Sequence, residues 1–227
     1  MINYNYSYDV GVDRAYIITI KGNELSEKLA QRCAKSCERV GQKYEIYYGF
    51  NGTDKRGAII PPEGLEDAPW LKWIKLYTTV LSSTQLACFY SHFSLWAKCL
   101  EIDKPIIILE HDAIMDKLYE THYMWNGIVY LGCQEQAEGA GGIYPVPPHG
   151  SAEDGLHRFI CRAHAYAIDP AIAKNLIAHV IKHGICTSLD VTIRSDLFPI
   201  AQFGLYAHDE FGGSTIHKDW KYLERGL

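Results

Sequence analysis

Apolar and polar positions follow two different periods along this chain. Short apolar runs at 15–20 (AYIITI) and 106–109 (IIIL), and the aromatic-rich run at 44–50 (YEIYYGF), predict strands. The run at 106–109 is β-branched and bounded by Pro105, the pattern of a strand buried on both faces. Between the first two runs, Leu25, Leu29, Cys33, Cys37 and Val40 recur at helical spacing and predict a helix over 25–40. A strand, a helix and a second strand in this order point to a right-handed crossover in an α/β sheet. Ser82 followed by Gln85 is a capping-box signal, and the stripe Leu86, Phe89, Tyr90, Phe93, Trp96, Ala97 and Leu100 predicts a long helix over Ser83–Ile102. A further strand is expected over Ile128–Gly132, and another over 164–168. Asp169 then reads as an N-cap, Pro170 as the first helical residue and Gly184 as the stop. A short helix or turn presenting Asp190, a last strand at 198–203 and a polar tail at 204–227 complete the series.

Glycine and proline interrupt this order twice, at 51–69 and at 133–159, both expected to be irregular. Loops as long as the second usually bind something or move. The predicted fold is α/β: one domain over 1–227, a mixed and mostly parallel sheet flanked by helices.

Composition narrows the function classes. The 227 residues are 48% hydrophobic and 22% charged with a net charge of -5, ordinary for a globular protein and without the basic stripe of a protein that grips long nucleic acid. Seven scattered cysteines fit neither a disulfide framework nor zinc spacing, so a reducing cytoplasmic setting is expected. Cys33 and Cys37 read as small packing residues. No apolar run is long enough to span a bilayer, and no signal peptide is expected.

The candidate chemistry lies where the strand at 106–109 ends, on Glu110 and Asp112. Side chains at i and i+2 of an extended segment share a side, so the two carboxylates are expected to converge on one cation while His111 points away. Oxygen donors suit Mg²⁺ or Mn²⁺, particularly when substrate phosphates complete the shell. Thr19 and Lys21, at the end of the first strand, are candidate nucleotide contacts, because ligands gather at strand carboxyl ends in open α/β sheets.

The order of these features resembles glycosyltransferase family 25, which includes lipooligosaccharide and collagen galactosyltransferases. The resemblance covers roughly 15–203 and is strongest over TQLACFYSHFSLWAKCLEIDKPIIILEHDAIM, where Cys88, Ser91, His92, Trp96, Leu109, Glu110 and Asp112 match in order and spacing. YIITIKGNE and AYAIDPAIAKNLI, with Leu189 and Asp190, are supporting blocks. Three departures stand out. His111 replaces the middle Asp of the family's acidic triplet, Thr84 and Ala87 replace the glycines before the Cys, and Lys21 is the nearest cation to a missing Arg pair.

The resemblance implies a GT-A-like fold and transfer of a hexose from a nucleotide sugar, UDP-galactose or UDP-glucose, to a glycan hydroxyl with inversion. It implies a metal held by Asp112 and Glu110, with Glu110 touching ribose or a metal-bound water. Ser91 and His92 would face the donor, and His208 would be a late metal ligand. Asp190, with Asp209 second, would take the acceptor's proton. Three other readings remain open: a transferase acting on hydroxylated bases of modified DNA, a non-catalytic carbohydrate- or partner-binding domain of the same fold, and a metal-dependent hydrolase. Oligomeric state is not legible.

Overall fold

The computed structural model describes residues 10–52, 58–77, 81–132, 143–145 and 163–209. In chain order the elements are β1 (Val10–Gly11), β2 (Ala15–Thr19), α1 (Glu24–Val40), β3 (Tyr44–Tyr48), β4 (Asn51–Gly52) and β5 (Ile59–Ile60). A 3₁₀ turn at Pro69–Lys72 precedes α2 (Ser83–Ile102), β6 (Ile106–Glu110), β7 (Ala113–Met115), β8 (Thr121–His122), β9 (Ile128–Gly132) and β10 (Ile143–Pro145). The described chain closes with β11 (Ala165–Ile168), α3 (Pro170–His183), α4 (Leu189–Thr192) and β12 (Ile200–Asp209).

The main sheet has the order β10-β12-β9-β11-β6-β2-β3, with β7 paired to β12. It is mixed, as expected, but parallel pairs do not predominate. β2 runs parallel to β3 and β6, and β12 parallel to β9. β11 is antiparallel to both β6 and β9, and β12 is antiparallel to β7 and β10. The reason is that β11 inserts between β6 and β9 with the opposite direction, a topology that strand patterns do not reveal. The parallel trio β3, β2 and β6 ends its strands together, and Gly49 N–H donates to the Thr19 carbonyl at that end.

Both faces of this sheet are covered, which explains the unbroken apolar run of β6. Ile106 and Ile108 pack with α2 and α3, while Ile107 and Leu109 pack with the α1 side around Cys33 and Cys37. Alternation therefore turns Glu110, the next residue in register, toward α2.

Local signals set the helix ends. The Asn23 side chain accepts from Ser26 N–H at the start of α1, and Gly41 closes it in the left-handed region at φ 78°. Ser82 and Gln85 form the full capping box of α2. Of its stripe, Leu86, Phe89, Phe93 and Trp96 are buried, Tyr90 and Ala97 half-buried, and Leu100 is 37% exposed.

Three irregular-region expectations are revised. Residues 51–69 contain the short hairpin β4–β5. The last strand continues to Asp209, because β12 gains β7 as a partner, so 204–209 is strand and not tail. Of the segment 133–159 only β10 lies within the described residues, and 210–227 lies outside them. Among the described residues no helix is long and apolar enough to cross a membrane.

Asp169 ties the start of α3 to the turn before β9. Fully buried, it accepts from Ala171 and Ile172 N–H at 2.7 and 3.0 Å and from Gly127 N–H at 3.4 Å, with His122 Nε2 at 3.4 Å. Asp169→Ala leaves these donors unpaired and is expected to cost about 3 kcal/mol. Urea unfolding measures it, with Asp169→Asn predicted to lose less because its carbonyl still caps the helix. An unchanged midpoint in the alanine variant would show that the cap is dispensable.

Candidate active site

β6 ends at Glu110, and the chain turns at His111 and Asp112 before β7 begins. The two carboxylates thus approach each other across a turn, not by strand alternation as expected, because the strand stops one residue after Leu109. His111 does point elsewhere. Its Nδ1 lies 3.2 Å from Ser26 Oγ at the start of α1.

Glu110 faces the inner side of α2. Cys88 and His92, one helical turn apart, both reach Oε1, at 3.4 Å from Sγ and 3.3 Å from Nε2. With Oε1 occupied, Oε2 is the oxygen available to a ligand, and the side chain is 25% exposed. Burial works against the Glu110 carboxylate, but the His92 hydrogen bond, with His111 and His164 nearby, more than offsets it. Glu110 stays ionised well below the usual carboxylate range.

Asp112 has the opposite balance. It is 9% exposed, and its Oδ1 is buried without a hydrogen-bond partner. Burial, then the charge of Glu110, push its pKa up to about 7, with Asp209 adding to the rise and its own backbone N–H and Arg32 opposing it. A buried carboxylate oxygen with no donor, beside a second carboxylate held ionised, is an arrangement that a hard divalent cation would relieve. Hard carboxylate donors suit Mg²⁺ or Mn²⁺, while the potential ligand atoms that lie within 4.8 Å of one another among the described residues are those of Cys88, His92 and Glu110.

Asp190 arrives from the other side. The Leu189 side chain anchors α4 in the same core as α2. Asp190 Oδ1 accepts from Ser188 Oγ at 2.6 Å and Val191 N–H at 3.0 Å. Glu110, Asp190 and Asp112 all lie near enough to Cys88 to help burial push its thiol far up. Carboxylates from two separate segments, 110–112 and Asp190, therefore act on one thiol.

The other predicted residues are placed differently. Ser91 is fully buried, accepts from Phe50 N–H at 2.8 Å and donates to the Ala87 carbonyl at 2.7 Å. It pins the β3–β4 turn to α2, where a Cβ on Gly49 would come 2.6 Å from Ser91 Oγ. His92 is likewise fully buried and meets Glu110 from behind. Thr19 is buried with its Oγ1 3.0 Å from Ser26 Oγ. Lys21 pairs with Glu63 at 3.2 Å in a groove of about 460 Å³ that Tyr47, Tyr48, Trp70 and Lys98 also line. Neither Glu110 nor Asp112 lines that groove. His208 Nδ1 bonds Asp116 at 2.6 Å. Its neighbour Asp209, paired in register with Ala113, is the β12 residue whose charge reaches Asp112. Alternation along β12 gives the two neighbours opposite faces, so Asp209 is the β12 group nearer the carboxylates.

Sequence reasoning missed Tyr166. Its hydroxyl lies 2.8 Å from His92 Nδ1 and accepts from Trp96 Nε1–H at 3.0 Å, at the centre of a buried polar cluster. A tyrosine in an apolar strand carries no local signal of that role.

The family model described as glycosyltransferase family 25 (LPS biosynthesis protein) matches residues 13–126. No curated protein matches the chain. The matched stretch contains Glu110 and Asp112 and ends before Asp190.

Proposed function

Because the chain belongs to glycosyltransferase family 25, and is thus a glycosyltransferase, we propose that it moves a hexose from a nucleotide sugar, UDP-galactose or UDP-glucose, to a hydroxyl of a glycan acceptor. The reaction depends on a divalent cation and inverts the anomeric centre. The observation that carries this reading is the unpartnered, buried Asp112 Oδ1 beside the oriented Glu110 carboxylate.

The chemistry asks three things of the protein. Breaking the sugar–phosphate bond leaves negative charge on a diphosphate, and Mn²⁺ or Mg²⁺ supplies the compensating charge when bound. Asp112 would hold that ion, and Glu110, fixed through Oε1, would offer its other oxygen to the ribose or to the ion's hydration shell. Asp190 receives the proton of the attacking hydroxyl on Oδ2, while Ser188 and the Val191 N–H steady Oδ1. The donor lies over the ends of β2, β3 and β6, where open α/β sheets collect ligands. Release of UDP from UDP-galactose or UDP-glucose, measured with and without Mn²⁺ against a panel of glycan acceptors, tests this reading. Turnover of neither donor with any acceptor in the presence of metal would contradict it.

A pH dependence follows. Metal binding needs Asp112 ionised, and its pKa of about 7 makes protons compete below that point. Mn²⁺ affinity is expected to fall about tenfold per pH unit below 7 and to level off above it. Titration calorimetry at several pH values checks this, and an affinity independent of pH between 5.5 and 7 would argue that Asp112 is not a ligand.

A further inference from the structure

Behind Glu110 runs a chain of buried polar groups that the reaction itself does not touch. Trp96, His92 and Tyr166 are each essentially fully buried, and the His92 and Tyr166 rings stack 5.6 Å apart at 10°. The direction of every hydrogen bond in it follows from one fixed donor. An indole N–H donates and has no lone pair to accept with, so Trp96 Nε1–H must donate to the Tyr166 oxygen, 3.0 Å away. The Tyr166 proton then needs an acceptor, and His92 Nδ1 lies at 2.8 Å. Accepting there, neutral His92 carries its proton on Nε2, which faces Glu110 Oε1 at 3.3 Å. The opposite tautomer would leave a buried phenol proton unbonded and turn a lone pair toward the carboxylate, both costly in a dry interior.

We propose that Tyr166 is a positioning residue for the donor site: its hydroxyl, bonded to Nδ1, braces His92 in the Nε2–H tautomer against Glu110 Oε1 and thereby holds that carboxylate in place. The inference rests on the functional reading above only for its effect on donor binding. The relay itself is a property of the fold. Cys88, the second group on Oε1, supplies a weaker S–H donor at 3.4 Å and does not replace the imidazole.

The test has two arms. Nitrogen-15 NMR of the histidine rings should show His92 of the wild-type protein protonated on Nε2 and bare on Nδ1. In Tyr166→Phe, which keeps the ring and removes the hydroxyl, the Nδ1 signal should shift because it loses its donor, while Glu110 alone is left to hold the Nε2–H form. In the second arm, Tyr166→Phe should weaken Mn²⁺-dependent UDP binding and raise the donor KM by about tenfold or more, with a smaller change in kcat. His92→Gln, whose amide N–H can reach Glu110 without a tautomer choice, should make binding insensitive to Tyr166→Phe in the double variant. A wild-type His92 protonated on Nδ1 overturns the proposal, as does a Tyr166→Phe protein that loses stability while its donor KM and its His92 Nδ1 signal stay unchanged. If the wild-type protein binds no UDP, the functional reading fails and the NMR arm decides the relay alone.

Discussion

Asp112→Asn is expected to reduce glycosyl transfer by about a thousandfold or more and to remove the Mn²⁺ requirement of nucleotide binding along with most of the binding itself. The substitution keeps the volume of the side chain and deletes the one charge that the buried Oδ1 offers to a cation. It should not unfold the protein. In wild type, burial and Glu110 hold the folded-state pKa at about 7 against an ordinary value of 3.8, so ionisation costs the folded state more than the unfolded one. The stability associated with the neutral carboxyl is complete below about pH 4 and is lost as pH rises through 7. Asparagine does not ionise and escapes this loss. Without metal, the variant should therefore melt at or above the wild-type temperature at pH 8, with a gain on the order of a few kcal/mol, and match it near pH 4. A variant that is inactive but also much less stable at pH 8 would mean that the Asp112 carboxylate serves the fold.

Asp190→Asn is expected to lower kcat by about 10²- to 10⁴-fold while donor binding changes by no more than about twofold. The amide preserves an acceptor for Ser188 Oγ and the Val191 N–H, so α4 keeps its geometry. What disappears is the oxygen able to take a proton. Steady-state kinetics with varied donor and acceptor separate these effects. A normal kcat in Asp190→Asn together with a collapsed kcat in Asp209→Asn would transfer the role to the β12 carboxylate that faces Asp112.

The elements were legible where a single local signal determined them. The capping box at Ser82 and Gln85, the Asp169-Pro170 start of α3 and the Gly184 stop all lie where hydrogen-bonding chemistry of adjacent residues puts them. The buried run of β6 announced a strand covered on both faces. Topology was not legible, because the antiparallel insertion of β11 and the pairing of β12 with β7 depend on contacts far apart in sequence.

The same limit explains the site. Glu110 and Asp112 could be singled out because carboxylates at the end of an apolar strand need a reason to be there, and Asp190 because the family resemblance marks it. His92 could be noticed but not oriented: its partners Tyr166 and Glu110 come from two different strands. Thr19 and Ser91 sit close to the donor region in sequence terms, yet their hydroxyls are occupied by Ser26, Phe50 and Ala87. Hydroxyls of that kind look identical in a sequence whether they hold a ligand or a loop.

The account turns on whether a metal held at Asp112 binds a nucleotide here. Calorimetric titration of UDP into the wild-type protein and into Asp112→Asn, each with and without Mn²⁺, addresses that most directly. UDP binding that requires both Mn²⁺ and Asp112 is the predicted result. Equal binding with and without the metal, or equal binding by the two proteins, would contradict it.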